Sequence, residues 1–285
     1  MPLSCAVNPE CGRERKYGLT TAPRPKKVLV IGGGVAGMEA ARVCALRGHK
    51  VTLEEKTGQL GGTLIPGGYA SFKSNDCALY RWYERQLRKL GVAIKLNTEA
   101  DESSFRKDFD TIVVATGSRP ADLPFPADIP PLEATDVLLK RARPGKSVII
   151  IGGGLVGCEL GLQLAKEGHE VTIVEKMPEI CGGEHAMPFM NYDMLKNLLS
   201  YQRVAVMTGT GVSGIDSQGV HIVGRGGEGT LKADTVVSAI GYKPYQPLQK
   251  AMESSAKECY NIGDSRQVQN IMAAIWEAYE VARSI

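Results

Sequence analysis

Three glycines in the pattern G-x-G-x-x-G occur twice in this chain, each time directly after a run of aliphatic residues. They are Gly32, Gly34 and Gly37 in the first copy and Gly152, Gly154 and Gly157 in the second. An acidic residue, Glu55 or Glu175, closes the next apolar run of each copy. Glycines at this spacing let a backbone turn approach a pyrophosphate, and the acid accepts hydrogen bonds from a ribose hydroxyl. These residues predict two dinucleotide-binding sites.

The repeat extends well beyond the glycines. Residues 26–56 (KKVLVIGGGVAGMEAARVCALRGHKVTLEEK) match residues 146–176 (KSVIIIGGGLVGCELGLQLAKEGHEVTIVEK) at a constant offset. Each copy has the pattern of a buried strand, a glycine turn, an amphipathic helix and a second strand. The helix would direct free N–H groups and its positive dipole end at a phosphate. The fold class predicted is α/β, with two dinucleotide-binding, Rossmann-like domains.

A second pair of similar segments follows the two fingerprints. DTIVVATGSRP begins at Asp110, and DTVVSAIGYKP begins at Asp234. Because one copy follows each fingerprint, we interpret them as the places where the chain crosses between domains. We therefore predict an N-terminal arm over 1–25, one domain formed by 26–118 and 242–285, and a second domain, 119–241, inserted into it.

Composition excludes several classes of function. The net charge of +3 is spread along the 285 residues, which predicts no nucleic-acid partner. The apolar runs break at glycines long before the roughly 20 residues needed to cross a bilayer, so we expect no membrane partner. We see no signal-peptide pattern and expect the cytoplasm. Seven cysteines without a C-x-x-C motif argue against a disulfide framework and against a disulfide reductase.

No catalytic residue is predicted. The four histidines, His49, His169, His185 and His221, lie in no catalytic-looking motif. Hydride transfer between two stacked rings needs proximity and a dry site rather than a general acid or base.

A glycine fingerprint followed by a DTIVVATG-type segment, twice in succession, resembles the order of motifs in flavoproteins with two dinucleotide-binding domains. The segments CAVNPECGRE, GGTLIPGG, WYERQL and NIGDSRQVQNIMAAIWEAYEVA narrow the resemblance. They are similar to the C-terminal FAD and NAD(P)H part of the NADH:flavin oxidoreductases related to 2-enoate reductase, 2,4-dienoyl-CoA reductase and trimethylamine dehydrogenase. The family carries an FMN-containing TIM barrel first and a four-cysteine iron–sulfur cluster next. The resemblance implies that the barrel is missing here.

The family also implies a role for individual residues. Asp264 would hold the ribityl chain of the flavin, and the helix beginning near Asn270 would point its N-terminus at the ring, where positive charge stabilises reduced flavin. The FAD-binding residues implied are Gly32, Gly34, Gly37, Glu55, Lys56, Gly61, Gly62, Thr63, Thr116, Gly117, Gly263, Asp264, Asn270 and Ile271. The NADH-binding residues implied are Gly152, Gly154, Gly157, Glu175 and Gly241.

Cys5 matches the last ligand of the family's [4Fe–4S] cluster, and Cys11 has no counterpart. Such a cluster needs four thiolates, which this chain does not supply at suitable spacing. Cys5 is therefore either a ligand completed by another chain or a relic of a longer ancestor. The resemblance implies an FMN and iron–sulfur barrel as partner.

Three functional hypotheses remain open from the sequence. The first is a module that passes a hydride from NADH to FAD and electrons on to a partner barrel. The second is a stand-alone NADH:acceptor reductase, and the third is a structural module that holds a nucleotide without turnover. The carboxylate of Glu175 favours NADH, because it would repel the 2′-phosphate of NADPH.

Overall fold

A computed structural model of the chain describes residues 3–182, 188–224 and 226–285. The chain forms two compact units. Unit 1 comprises Met1–Ile65, Asn75–Arg119 and Lys243–Ile285, and unit 2 comprises Pro66–Ser74 and Pro120–Tyr242. Most of unit 2 is thus one insertion into the sequence of unit 1.

The described residues form both α-helices and β-strands. The helices are α1 Glu14–Tyr17, α2 Val35–Leu46, α3 Leu64–Gly67, α4 Ser74–Lys89, α5 Ala134–Leu138, α6 Leu155–Lys166, α7 Phe189–Tyr201, α8 Gln249–Glu253 and α9 Ile271–Ser284. The strands are β1 Lys27–Ile31, β2 Lys50–Glu54, β3 Ala93–Lys95, β4 Thr111–Val114, β5 Ser118–Pro120, β6 Leu132–Glu133, β7 Ser147–Ile151, β8 Glu170–Val174, β9 Ala205–Met207, β10 Thr210–Asp216, β11 Gly219–Gly224, β12 Gly227–Leu231, β13 Thr235–Ser238, β14 Tyr242–Pro244 and β15 Glu258–Asn261. Short 3₁₀ helices span Glu102–Arg106 and Gly263–Ser265.

Unit 1 is built on a five-stranded parallel sheet in the order β15-β4-β1-β2-β3. The central strand β1 buries both of its faces, which explains its unbroken aliphatic sequence. Val28 and Val30 pack with residues of α2 and α9 on one face. Leu29 and Ile31 pack with Phe105 and residues of α8 on the other. Burial of each such side chain stabilises the unit by roughly 1.5–3 kcal/mol.

Unit 2 repeats this plan. Its parallel sheet has the order β6-β13-β7-β8-β9, and α6 packs on one face. The other face of β7 packs against Ile215 and Val220 from a three-stranded antiparallel sheet in the order β10-β11-β12. The predicted α/β class with two dinucleotide-binding domains is confirmed.

The residues near the N-terminus pack on α9 of unit 1. Trp276 Nε1 donates to the carbonyl of Cys5 at 3.0 Å, and Tyr279 Oη donates to Glu10 at 2.8 Å. The guanidinium of Arg13 lies 4.4 Å from the centre of the Trp276 ring. The segment predicted as a separate arm is therefore part of unit 1.

Residues 66–74 also differ from their predicted placement in the first domain, because they belong to unit 2. Ser71 donates to Gln163 on α6 through both its N–H and its hydroxyl, each at 3.1 Å. Lys73 pairs with Glu159 on the same helix at 2.9 Å.

None of the helices among the described residues is long and apolar enough to cross a membrane.

The buried imidazole of His49 predicts a pH dependence of stability. Its Nδ1 accepts from the Lys26 N–H at 3.0 Å, and its buried Nε2 has no hydrogen-bond partner among the described residues. Burial, with smaller contributions from Arg47 and Lys26, holds the pKa of His49 below the ordinary value of 6.5. The unfolded chain therefore takes up a proton near that value while the folded chain does not, so the free energy of unfolding falls as the pH drops through 6.5.

Urea unfolding at several pH values between 7.5 and 5 measures this slope. His49→Asn keeps an acceptor near the Lys26 N–H but cannot be protonated, so it should flatten the slope. His169→Asn, at the matching position of unit 2, controls for general effects of the substitution. If the free energy of unfolding of His49→Asn fell with pH as steeply as that of the wild type, His49 would not be the source of the pH dependence.

Candidate functional site: two glycine loops and their carboxylates

Two glycines of each fingerprint are required by the packing of the chain itself. Gly32 has φ +107°, and a Cβ on it would lie 2.2 Å from the carbonyl oxygen of Ala115. A Cβ on Gly37 would lie 1.9 Å from the carbonyl oxygen of Gly32, because α2 starts directly against the turn. Gly152 and Gly157 have the same constraints in unit 2, at 2.4 Å and 1.9 Å. These glycines shape the turn and let helix and strand approach closely.

Packing within the chain does not explain the middle glycine of each fingerprint. Gly34 and Gly154 have φ of −72° and −68°, which any residue can adopt. No atom of the described residues lies within 4 Å of a Cβ built on either. Each is also the N-cap of its helix, α2 or α6. The open space therefore lies at a helix N-terminus, where backbone N–H groups favour a phosphate.

A carboxylate ties each glycine loop to the end of the second strand. Glu55 is buried, and its Oε2 accepts from the Gly33 N–H at 2.7 Å. Its Oε1 accepts from the N–H and the hydroxyl of Thr57 at 2.8 and 2.7 Å. Glu175 is half-buried and accepts from the N–H groups of Gly153 and Met177 at 2.5 and 2.6 Å. Two oxygens provide about four acceptor positions, so both carboxylates keep capacity for a ribose hydroxyl.

The second glycine pair of unit 1 packs onto the first loop. Gly61 and Gly62 have φ of +129° and +52°, and the Gly61 N–H donates to the carbonyl of Gly33 at 2.9 Å. A Cβ on Gly62 would lie 2.9 Å from the Cα of Gly34. Thr63 is exposed beside this pair. The structure thus brings Gly61 and Gly62 to the fingerprint loop.

Lys56, Thr116 and Gly117 converge on a residue that the sequence did not indicate, Tyr245. The Thr116 hydroxyl donates to the Tyr245 carbonyl at 2.6 Å, and the Tyr245 N–H donates to the Gly117 carbonyl at 2.9 Å. The Lys56 ammonium lies 5.0 Å from the centre of the Tyr245 ring. These contacts join the end of β2 to the region after β4 within unit 1.

The C-terminal motif forms a turn and a capped helix. Asp264 accepts from the Ser118 hydroxyl at 3.0 Å and from the Gln269 N–H at 3.2 Å. Asn270 caps α9, because its Oδ1 accepts from the Ala273 N–H at 2.9 Å, and Ile271 is the first residue of the helix.

Gly263 has φ +65° and donates its N–H to Glu277 on α9 at 2.6 Å. A Cβ on Gly263 would lie 2.7 Å from the Cβ of Ala36, so the turn lies close to the start of α2.

In unit 2, Gly241 has φ +103°, and its carbonyl accepts from the Ala121 N–H at 3.0 Å. It therefore lies at the turn after β13. No described atom approaches its Cβ position within 4 Å, so space rather than crowding surrounds it.

Cys5 does not lie in a cluster of metal-type ligands. In the part of the chain that the structure describes, no three His, Cys, Asp or Glu side chains come together as a metal site. The thiols of Cys5 and Cys11 are both half-buried, and both residues lie near the turn at Asn8. A cluster ligand role for Cys5 stays a prediction that needs thiolates from elsewhere.

The histidines that the structure describes are bonded to neighbouring backbone or side-chain groups. His169 Nδ1 lies 2.7 Å from the carbonyl oxygen of Gly145, and His221 pairs with Asp216 at 2.9 Å on the antiparallel sheet. His185 lies outside the described residues.

Sequence reasoning missed residues that complete the loops, namely Gly33, Gly153, Thr57, Ser118 and Tyr245. Gly33 and Gly153 had a usable signal, because both fingerprints read GGG. A Cβ on Gly33 would lie 2.5 Å from Leu60 Cδ2, so a side chain at this position would have to displace the end of Leu60. The contacts of Ser118 and Tyr245 join residues far apart in the sequence and leave no local pattern.

Comparison with known families identifies the class of protein to which this chain belongs. The model of the pyridine nucleotide-disulphide oxidoreductases matches residues 26–278. The chain belongs to this family. As a pyridine nucleotide-disulphide oxidoreductase it is an oxidoreductase of a class that binds FAD and NAD(P)H, which confirms the predicted class, coenzymes and flavoprotein family.

Individual relatives are considerably longer than this oxidoreductase. It is 48% identical to cinnamate reductase of Clostridium sporogenes over 285 residues, which is 99% of this chain and 43% of the relative. It is 36% identical to NADH oxidase of Thermoanaerobacter brockii, covering 99% of this chain and 44% of that protein. A solved structure of 2-naphthoyl-CoA reductase with 2-naphthoyl-CoA superposes with a TM-score of 0.91 at 33% identity, over 99% of this chain and 43% of the other. The chain spans less than half the length of these relatives.

The contrast between the glycines gives a direct test of the site. Gly154→Ala adds a methyl group in open space and should cost only roughly 0.5–1 kcal/mol, because Ala is a poorer N-cap than Gly, while blocking close approach of a pyrophosphate. Gly157→Ala adds a methyl group 1.9 Å from a carbonyl oxygen and should cost about 1–3 kcal/mol or more.

Thermal unfolding of the coenzyme-free protein and calorimetric titration with NAD⁺ separate the two effects. We expect Gly154→Ala to lose affinity with only a small fall in melting temperature, and Gly157→Ala to show the larger fall in melting temperature. Unchanged NAD⁺ affinity in Gly154→Ala would refute the assignment of the open space to the dinucleotide.

Proposed function

We propose that this chain is the module of a larger reductase that takes a hydride from NADH onto FAD and passes electrons to an FMN and iron–sulfur barrel. The observation that carries the proposal is the duplicated loop, in which Gly34 and Gly154 leave open space at two helix N-termini beside Glu55 and Glu175. Two such loops in one chain suit an enzyme that binds two dinucleotides. The family match supports the same redox class.

FAD is assigned to unit 1. The loop there is joined by a second glycine pair, Gly61 and Gly62, and by the turn that carries Asp264. Asp264 has oxygens capable of accepting further hydrogen bonds, as required for the hydroxyls of a ribityl chain. Helix α9, capped by Asn270, starts close by in sequence and offers its positive dipole end.

NADH is assigned to unit 2. Gly152, Gly154 and Gly157 reproduce the loop of unit 1, and Glu175 takes the place of Glu55. Each oxygen of Glu175 already accepts one backbone N–H, and its remaining acceptor capacity suits a ribose hydroxyl, while its charge repels a 2′-phosphate. The site therefore favours NADH over NADPH.

The coenzymes supply the hydride chemistry once bound, and the protein supplies binding and orientation. In that scheme Glu55 and Glu175 fix the two riboses, and the helix N-termini at Gly34 and Gly154 hold the pyrophosphates. No side chain of this chain is required to move a proton.

The partner barrel is inferred from the length of the relatives. Cinnamate reductase and 2-naphthoyl-CoA reductase are more than twice as long as this chain, and their names describe reduction of unsaturated acids or thioesters. A barrel with an FMN and most of an iron–sulfur cluster would fill that length. Cys5, held against Trp276 of α9, would then complete the cluster.

One relative favours a second candidate function. NADH oxidase of Thermoanaerobacter brockii, at 36% identity, suggests direct oxidation of NADH by a simple acceptor. In that case the chain alone would turn over NADH with dyes or quinones and would need no barrel.

Anaerobic titration of the purified chain with NADH tests the proposal. We expect a yellow protein whose flavin absorbance bleaches with about one equivalent of NADH, because hydride transfer moves two electrons to one flavin. Asp264→Ala should lower the bound FAD content, and Asp128→Ala, an acid in unit 2, is the control. A colourless protein that releases ADP would refute the proposal and support a nucleotide-holding module.

The preference for NADH is tested at Glu175. Glu175→Gln should raise the KM for NADH about tenfold, which corresponds to the loss of one charge-assisted hydrogen bond. It should also reduce the difference between the KM values for NADH and NADPH. Glu170→Gln removes the same charge at the exposed start of β8 and should change neither value. A wild-type enzyme that prefers NADPH would contradict the prediction and indicate Lys176 as a phosphate partner.

A further inference from the structure

Two cysteines far apart in the sequence meet beside the glycine loop of unit 2. Cys158 lies on α6 and is fully buried, whereas Cys181 lies after β8 and is half-buried. Cys181 packs against the buried apolar cluster of unit 2 that contains Cys158. Both residues also bond to the same carbonyl, since the Cys181 N–H and the Cys158 thiol donate to Gly153 O at 2.8 and 3.3 Å.

The pair is specific to unit 2. At the constant offset of the repeat, Cys158 corresponds to Met38 and Cys181 corresponds to Gly61. Gly61 has a positive φ, as a glycine easily can, but Cys181 has φ +51°, a region that disfavours a side chain. The fold thus places a thiol where the matching loop of unit 1 has a glycine.

The two thiols differ in reactivity. The hydrogen bond from Cys158 lowers the pKa of Cys181, while burial and the charges of Glu159 and Glu175 oppose it. The same contact and burial raise the pKa of Cys158. While both thiols are protonated, the Cys158 thiol donates its proton to the carbonyl of Gly153. Once Cys181 ionises, the Cys158 thiol donates to the Cys181 thiolate instead. The half-buried Cys181 is therefore the nucleophile and Cys158 the resolving thiol.

We propose that Cys158 and Cys181 form a reversible disulfide with peroxide as the oxidant, and that this disulfide weakens dinucleotide binding by the adjacent glycine loop. The first step is attack of the Cys181 thiolate on hydrogen peroxide, which gives a sulfenic acid and hydroxide. Cys158 then attacks that sulfur and releases water, and the hydroxide takes up the proton lost by Cys181. Overall, two thiols and one peroxide give one disulfide and two waters.

The loop has little room to absorb the new bond. A Cβ on Gly153 would lie 2.9 Å from Glu175 Cβ and 3.0 Å from Ile180 Cγ2, so these three residues are closely packed. Drawing Cys181 toward α6 shifts its neighbour Ile180 and disturbs the bonds of Gly153 to Cys181 and Glu175. Glu175 is the ribose acceptor in the proposed function, on which this part of the inference rests.

Unit 1 provides an internal comparison. The cysteine on α2, Cys44, is fully buried, and burial raises its pKa to about 12, so it resists oxidation. Because Met38 and Gly61 stand at the two matching positions of unit 1, peroxide should form no equivalent disulfide beside the FAD loop.

The test compares the FAD-loaded full chain before and after treatment with hydrogen peroxide. Intact mass and peptide mapping report the disulfide, and calorimetric titration with NAD⁺ reports affinity without reducing the flavin. We expect loss of two hydrogens, a Cys158–Cys181 linkage, and a Kd for NAD⁺ raised about tenfold, within the usual range for coupled sites. Dithiothreitol should restore both values, and the FAD content should not change.

Three variants make the result specific. Cys181→Gly installs the residue found at this position in unit 1 and relieves the positive φ, and Cys158→Ala removes the resolving thiol without added volume. In both, peroxide should form no such disulfide and should leave the ratio of Kd before and after treatment near one. Cys11→Ser, outside unit 2, should respond as the wild type does.

Absence of the linkage in treated wild type would overturn the proposal, and a linkage without a change in Kd would overturn its coupling to the loop. Failure of the reduced protein to bind NAD⁺ would instead count against the proposed function, since the mass measurement still reports the disulfide.

Discussion

In each unit one carboxylate oxygen holds the glycine loop to the end of the second strand. Glu55 accepts from Gly33, and Glu175 accepts from Gly153, in both cases through Oε2. A buried carboxylate is costly unless it is hydrogen-bonded, so the N–H donors that surround it are a condition for its presence. With that bond in place the turn is fixed, the helix begins against it, and open space remains at the helix N-terminus. The dinucleotide sites depend on this arrangement more than on any single ligand contact.

The two units show how one backbone plan serves two environments. Both place the loop between a central parallel strand and an acid, with β1 and β7 buried on both faces. The cover differs, because 3₁₀ and short helical segments pack on the outer face of unit 1, and an antiparallel sheet packs on that face of unit 2. The loop geometry is thus set locally, and the layer beyond the sheet can vary without changing it.

The sequence predicted what depends on local pattern and missed what depends on distant contacts. The strands and the glycine turns followed from hydrophobic period and glycine spacing, and the start of the last helix near Asn270 followed from the family resemblance. The membership of residues 66–74 in unit 2 did not, because it comes from bonds between Ser71 or Lys73 and α6. The convergence on Tyr245 and the pairing of Cys158 with Cys181 were hidden for the same reason. No local signal marks residues that only the tertiary fold brings together.

The carboxylates of Glu55 and Glu175 are not equally constrained. Glu55 is buried and bonded by Gly33 and by both donors of Thr57, whereas Glu175 is half-buried and has only backbone donors from Gly153 and Met177. The hydroxyl of Thr57 has no equivalent at Met177. A more rigid anchor slows the escape of whatever it holds, and a looser one permits exchange. In the function proposed above, the more constrained acid of unit 1 would hold the resident FAD and the less constrained acid of unit 2 the NADH that leaves after every cycle, and the Thr57 hydroxyl accounts for much of that difference.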